Sequence, residues 1–178
     1  MLNNYGKPRN PGANESAKAV RNAENLLNSK DKDIFYAKGL RFSCTRCSDC
    51  CRFESGFVFL SKKDVSMLGE ALNIGFSELV KSYCRWIPSL GGGSRLSLRE
   101  KSSFDCIFWK NGCTVYEKRP LQCRAFPFWS TIVQSKSSWE LASSDCPGIG
   151  NGALHSRETV EKWLAQRQEE PIIIKGEP

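Results

Sequence analysis

Four of the chain's nine cysteines fall within eight residues, Cys44-Thr45-Arg46-Cys47-Ser48-Asp49-Cys50-Cys51. Packing alone has no use for four thiols in so short and polar a stretch. Two thiolates separated by two residues can bite one metal ion from a tight turn whose backbone N–H groups point at the sulfurs. The stretch holds two overlapping Cys-x-x-Cys units and one further thiol. Cys50 and Cys51 are adjacent, and neighbouring side chains of an extended segment point to opposite sides. An extended segment would therefore give them to different metal ions, or to different irons of one cluster.

Cys106, Cys113, Cys123 and Cys146 complete a set of eight. Cys106 and Cys113 flank Asn111-Gly112 and should face one another on one side of a short hairpin. Cys123 lies between Arg119-Pro120 and Arg124-Ala125-Phe126-Pro127. Two guanidinium groups so close to a thiolate could supply donors or positive charge, tuning a cluster or holding an anionic ligand, or could simply serve the surface. Phe126, Phe128 and Trp129 could wall solvent off from a metal, or be plain core. Cys146 is followed by Pro147-Gly148, and a remote Cys-Pro ligand is a feature of bacterial ferredoxins. Cys84 stands apart: at helical spacing with Leu79, Val80 and Tyr83, it reads as a buried core thiol.

Four-sulfur donor sets suit zinc or iron–sulfur centres and are too soft for calcium or magnesium. Eight thiols can fill two closed zinc sites, or hold one four-iron cluster plus one zinc. Closed zinc sites leave no coordination position for a substrate and would be structural. Cys44-x-x-Cys47-x-x-Cys50 with remote Cys146-Pro147 is similar to a ferredoxin ligand set. It lacks the extra residue of the Cys-x-x-x-Cys-x-x-Cys spacing of radical S-adenosylmethionine enzymes. The single histidine, His155, cannot build a His-rich site. Placed after Gly150-Asn151-Gly152 at the edge of a helix, it reads as a loop residue.

The 178 residues, 40% hydrophobic, imply one domain with a modest core. Structural thiolate–metal binding would add folding free energy on the order of 10 kcal/mol per site. Met1 to Lys7 has no apolar core of a signal peptide, and no run approaches the ~20 apolar residues of a membrane helix. The expectation is a cytoplasmic protein without membrane contact. Thiols stay reduced there, so nine cysteines point to metal or redox chemistry rather than disulfides. The formal charge of +7 would fall to +3 with eight thiolates on two zinc ions, or to +5 with four on a dipositive cluster. Lys18, Arg46, Lys81, Arg99, Lys136 and Arg167 are scattered rather than striped, which argues for a solvated surface and against a nucleic-acid partner.

The elements that must position the thiols read as a small α+β domain of helices and short strands or hairpins around a metal–thiolate centre. Residues 1–12 form a loose start. Residues 13–39 hold a helix from Asn14 to Asn28 and a charged connector. Residues 40–150 are the cysteine-rich domain, residues 151–170 a C-terminal helix, and residues 171–178 a tail without a chemical role. Within the domain, Phe57-Val58-Phe59-Leu60 reads as a buried strand, and Ser61-Lys62-Lys63-Asp64 as a capping box. The helix it opens shows Val65, Leu68, Ala71 and Leu72 on one face and stops at Asn73 to Gly75. A second helix covers Phe76 to Cys84. Gly91-Gly92-Gly93-Ser94 turns into a half-buried strand at Arg95 to Arg99. Thr131 to Val133 and Trp139 to Leu141 read as a hairpin about Ser135 to Ser138. Ser156 caps a helix to about Gln168, with Val160, Trp163 and Leu164 inward.

Phe42-x-Cys44-x-x-Cys47-x-x-Cys50-Cys51, Cys106-Ile107-Phe108, Cys113-x-Val115-Tyr116-x-x-Arg119-Pro120-x-x-Cys123-Arg124-x-Phe126-Pro127 and Cys146-Pro147-Gly148 together form one pattern. It resembles the YkgJ or CxxCxxCC family of zinc- or iron-chelating proteins from about Leu40 to Gly150. The resemblance implies a metal-binding module carried by Cys44, Cys47, Cys50, Cys51, Cys106, Cys113, Cys123 and Cys146. Ser48-Asp49 stands where many relatives have glycine, a departure that touches turn geometry more than ligation. The pattern is also similar to that of flagellin lysine-N-methylase. That likeness implies, as an alternative, an iron–sulfur enzyme of redox or protein lysine methyl transfer, although no cofactor pocket can be located in the sequence.

Overall fold

The computed structural model describes residues 34–89 and 92–175. Contacts divide the chain into a unit ending at Ala37 and a unit beginning at Lys38. Of the first, residues 34–37 form a turn closed by Ala37 N donating to Ile34 O at 2.9 Å. The helix expected from Asn14 to Asn28 lies outside the described residues. The second unit is α+β, as the sequence implies. Among its described residues are five α-helices, two short 3₁₀ turns and two small antiparallel sheets.

The larger sheet is built on a hairpin. Strand β2 (Cys84–Pro88) pairs with β3 (Ser94–Leu98), Cys84 opposite Leu98 and Pro88 opposite Ser94. The far edge of β3 receives β5 (Ile174–Lys175), so the tail supplies a strand that the sequence reading left out. Farther along that edge, Leu60 N donates to Leu96 O and Leu98 N to Val58 O. Thus β3 is the central strand, and Leu96, Ser97 and Leu98 are all buried instead of alternating. Ser97 tolerates this because its hydroxyl accepts from Val58 N at 3.1 Å and donates to Leu98 O at 3.2 Å.

Phe57 to Leu60 does not become the expected strand. It makes a single bridge, Phe59 with Ser97, and Phe57 remains 46% exposed. On its other side the Gln122 amide takes the place of a neighbouring strand, accepting from Phe59 N at 3.0 Å and donating to Phe57 O at 2.7 Å.

Helix α1 (Lys62–Leu72) has the capping box read from the sequence and ends at Asn73, whose φ of 54° is left-handed. Val65 and Leu68 are buried, whereas Ala71 is exposed. Helix α2 (Phe76–Tyr83) buries Leu79. Cys84, expected as its last residue, instead begins β2 and packs with Leu60, Leu68, Leu79, Leu96 and Phe108. Burial pushes its thiol up to about 11, as suits a core cysteine.

The smaller sheet pairs β1 (Leu40–Phe42) with β4 (Ile149–His155). The sequence reads His155, after Gly150-Asn151-Gly152, as a loop residue and gives 151–170 to a C-terminal helix, yet Ile149–His155 is strand β4 and the helix begins at Arg157. Gly152, with φ of 75°, is needed because a Cβ there would overlap the Ser43 side chain. His155 is accordingly a strand residue hydrogen-bonded through Nε2 to Phe42 O at 3.0 Å.

Three helices complete the unit: α3 (Leu121–Ala125), α4 (Lys136–Asp145) and α5 (Arg157–Glu169). Helix α4 replaces the hairpin expected from Thr131 to Leu141. Ser135, read as a turn residue, is its N-cap and accepts from Ser138 N at 3.1 Å. Trp139 is buried and stacks on Phe128 with centroids 6.2 Å apart, so one large anchor holds the helix without an amphipathic stripe. Helix α5 is capped by Ser156 and buries Val160, as expected. No helix among the described residues is long and apolar enough to cross a membrane.

Candidate metal centre

The first cysteine turn leaves β1 directly. Arg46 and Ser48 have φ of 60° and 71°, and the chain then tightens into the 3₁₀ turn Asp49–Cys51. Because that segment is coiled rather than extended, Cys50 and Cys51 do not point to opposite sides. Their Sγ atoms are 3.7 Å apart.

Backbone contacts draw the other cysteines toward this turn. Cys106 N donates to Cys51 O at 2.8 Å. The Asn111-Gly112 turn closes between Trp109 and Cys113, while Cys106 bridges to Glu100. Hence Cys106 and Cys113 are not the facing pair of one hairpin. Arg52 fastens the first cysteine turn to this loop, pairing with Asp105 at 3.3 Å and lying 3.8 Å from the Trp109 ring centroid. Cys123 occupies the middle of α3. That helix is held by the fully buried Asp64, whose Oδ1 accepts from Leu121 N at 2.6 Å while Oδ2 accepts from Ser61. Cys146 caps the C-terminus of α4, and Ser43 N donates to Gly148 O at 3.3 Å, setting the Cys146 turn beside Cys44.

The thiols surround two adjoining cavities. Cys44, Cys47, Cys50 and Cys146 line an outer one of about 530 Å³. Cys50, Cys51, Cys106 and Cys123 line an inner one of about 230 Å³. Phe126 and Trp129 border both. Phe128 instead packs among Phe42, Trp139 and His155 and belongs to the core. Among the described residues, no three His, Cys, Asp or Glu side chains lie close enough to enclose a metal ion as they stand. The donor chemistry fits zinc or iron nonetheless, since four cysteines line each cavity, with Asp49, Glu54 and Asp145 also at the outer and Glu54 and Glu100 at the inner.

Electrostatics express the crowding. The thiols of Cys106, Cys113, Cys123 and Cys146 are pushed up, first by burial and then by neighbouring thiols, Cys50 acting on all four. Cys50 and Cys51 act as a pair sharing a proton: their mutual hydrogen bond lowers Cys50 and raises Cys51. A cation bound among the thiols would relieve this cost of deprotonation. Among the described residues, the one opposing charge common to Cys50, Cys113 and Cys123 is Arg119. It donates from Nε to Tyr116 O at 2.7 Å and lies 3.5 Å from the Tyr116 ring centroid, on which Arg46 also rests at 4.5 Å. Arg124 serves otherwise, donating from Nε to Arg119 O at 2.9 Å and acting on Glu170. Of the two arginines flanking Cys123, therefore, Arg119 is the one directed to the thiols.

Asp64, Gln122, Arg52 and Tyr116 position the site without being singled out for it by sequence reasoning. Asp64 was visible as a cap, but nothing in the sequence marks its second oxygen as the anchor of α3. Tyr116 lies in the Tyr-x-x-Arg-Pro element, and its stacking with Arg119 gives that spacing a physical use.

The model of the CxxCxxCC family, described as "Putative zinc- or iron-chelating domain", matches residues 43–147, a span holding the eight candidate cysteines and Cys84. The chain is also similar to an uncharacterized protein of Methanocaldococcus jannaschii, at 31% identity over 121 residues, 66% of this chain and 62% of that protein. The chain thus spans less than two thirds of this relative's length. No solved structure matches it.

Proposed function

Since the chain belongs to the CxxCxxCC family of zinc- or iron-chelating domains, we propose that it is a cytoplasmic metal-binding module using two adjoining thiolate sets. Cys44, Cys47, Cys50 and Cys146 gather at the outer cavity and Cys50, Cys51, Cys106 and Cys123 at the inner, with Cys113 beside the inner set. The observation that carries this reading is the convergence of thiols from distant segments on two neighbouring cavities. Zinc bound there supplies structural cross-links, and iron bound with sulfide supplies an electron-transfer centre.

A second reading, an iron–sulfur enzyme of redox or methyl-transfer type, draws on the outer set. Cys44, Cys47 and Cys50 are exposed, which would let a reaction partner reach them. Elemental analysis with a visible spectrum, on protein purified without oxygen, separates the two. Colourless protein with about two zinc ions per chain supports structural sites. Brown protein with iron and acid-labile sulfide moves the enzyme reading to the front. Protein that retains neither metal overturns both. Salt-dependent binding to DNA or RNA would add a nucleic-acid role that the scattered charge argues against.

A further inference from the structure

Cys50 occupies a position unlike that of the other thiols. It lines both cavities, whereas Cys44, Cys47 and Cys146 border only the outer and Cys51, Cys106 and Cys123 only the inner. Its Sγ is 3.7 Å from Cys51 Sγ. Sulfurs about 2.3 Å from a shared zinc ion in a tetrahedron are separated by about 3.8 Å, so Cys50 and Cys51 already have the spacing of two ligands on one ion. On its other side, Cys50 acts on Cys146 across the outer cavity, as Cys47 does.

Resting on the chelation reading above, we infer that Cys50 is a bridging ligand and that the two thiolate sets form one binuclear centre rather than two separate sites. The outer ion then takes Cys44, Cys47 and Cys146 with Cys50. The inner ion takes Cys51, Cys106 and Cys123 with the same Cys50. Each ion has four sulfurs, and Cys113 is left uncoordinated. That thiol does not line the inner cavity, although it faces Cys106 and Cys123 closely enough to act on both. Charge favours the sharing as well. Seven thiolates on two dipositive ions carry −3, against −4 for two separate four-thiolate sites, and excess charge in a part-buried centre is costly. Arg119 lies near enough to Cys50 and Cys123 to lower both thiols, so its charge serves the bridge and the inner set together.

Cobalt(II) titration of the full chain, prepared metal-free without oxygen, tests the bridge by electron paramagnetic resonance. A shared thiolate couples the two cobalt spins. The expected signal rises to one equivalent and falls by at least half as the second enters. Cys113→Ser should reproduce that fall with two cobalt ions still bound. Cys50→Ser should bind without it, or with at least tenfold weaker affinity for both ions. A signal that doubles between one and two equivalents shows separate sites and overturns the inference while leaving chelation intact. Loss of one ion in Cys113→Ser overturns it also. No cobalt binding at all overturns the chelation reading itself, and the bridge with it. Should Cys50→Ser fail to fold by circular dichroism, the titration of the unaltered chain decides alone.

Discussion

Replacing Asp64 by asparagine should damage the fold and the inner thiol set together. The Asp64 carboxylate is fully buried and satisfies three donors: Ser61 N at 2.9 Å, Ser61 Oγ at 2.8 Å and Leu121 N at 2.6 Å. Asparagine keeps the shape but only one acceptor oxygen. If that oxygen faces Ser61, the amide NH₂ confronts the Leu121 N–H; if it faces Leu121, both Ser61 donors lose their partner. A buried donor left unsatisfied costs ~1–3 kcal/mol, and a hydrogen bond to a charged group is worth ~1.5–3 kcal/mol, so a loss of about 3 kcal/mol is expected. That is a large share of the ~5–15 kcal/mol by which a domain is stable. With a urea slope of about 2 kcal/mol/M, the unfolding midpoint should fall by roughly 1.5 M. Ser61→Ala, which removes only the cap side chain, should cost about 1 kcal/mol. The two effects should be non-additive in the double variant, because the residues share one network. Leu121 begins the helix that carries Cys123, so Asp64→Asn should also release metal faster to a chelator. If Asp64→Asn unfolds no more readily than Ser61→Ala, the anchoring role given to Asp64 is wrong.

Three further outcomes are expected. Arg119→Ala removes the charge beside Cys50, Cys113 and Cys123 and should weaken zinc binding by about tenfold or more in chelator competition; Arg119→Lys, which keeps charge but not the Tyr116 stack, should restore part of it. Gly148→Ala would thrust a methyl carbon onto Ser43 O, costing ~1–3 kcal/mol in a thermal melt and loosening Cys146 from the outer set; an unchanged melt would contradict that packing. Burial pushes the Glu100 carboxyl up, but Gly56 N–H, Arg85 and Ser55 more than offset it and hold it below its ordinary value. Its contribution is therefore complete above about pH 5 and is lost as pH falls through the lowered folded value, so Glu100→Gln should flatten the acid side of the stability profile.

Local chemistry was legible wherever the chain itself supplies the partner. The Ser61–Asp64 box and the Ser156 cap are closed within four residues, and the sequence shows both ends of each bond. Of the β2–β3 hairpin only the glycine turn and β3 are legible, whereas β2 is not. The misreadings arise where a distant segment decides. Phe57 to Leu60 has strand composition, but the Gln122 side chain occupies the edge where another strand would lie. Strand β4 is missed, and His155 read as loop, because what makes Gly152 necessary, close approach to Ser43, lies more than a hundred residues away. Thr131 to Leu141 carries β-branched and aromatic residues, yet the Ser135 cap and the seat for Trp139 on Phe128 make the second half helical. For the site, residue type and spacing single out eight cysteines as candidate donors. Their apportioning depends on the 3₁₀ turn that brings Cys50 and Cys51 together, and adjacency in sequence suggested the reverse.

Native mass spectrometry of the full chain, purified without oxygen, tests the central claim most directly. Metal chelation by the thiols predicts a mass above that of the 20.0 kDa polypeptide by bound zinc or iron, with sulfide if a cluster is present, and return to the polypeptide mass when the cysteines are alkylated after unfolding and chelation, apart from the added alkyl groups. A chain that emerges at the bare polypeptide mass, and stays there after incubation with zinc(II) or with iron(II) and sulfide, would contradict it.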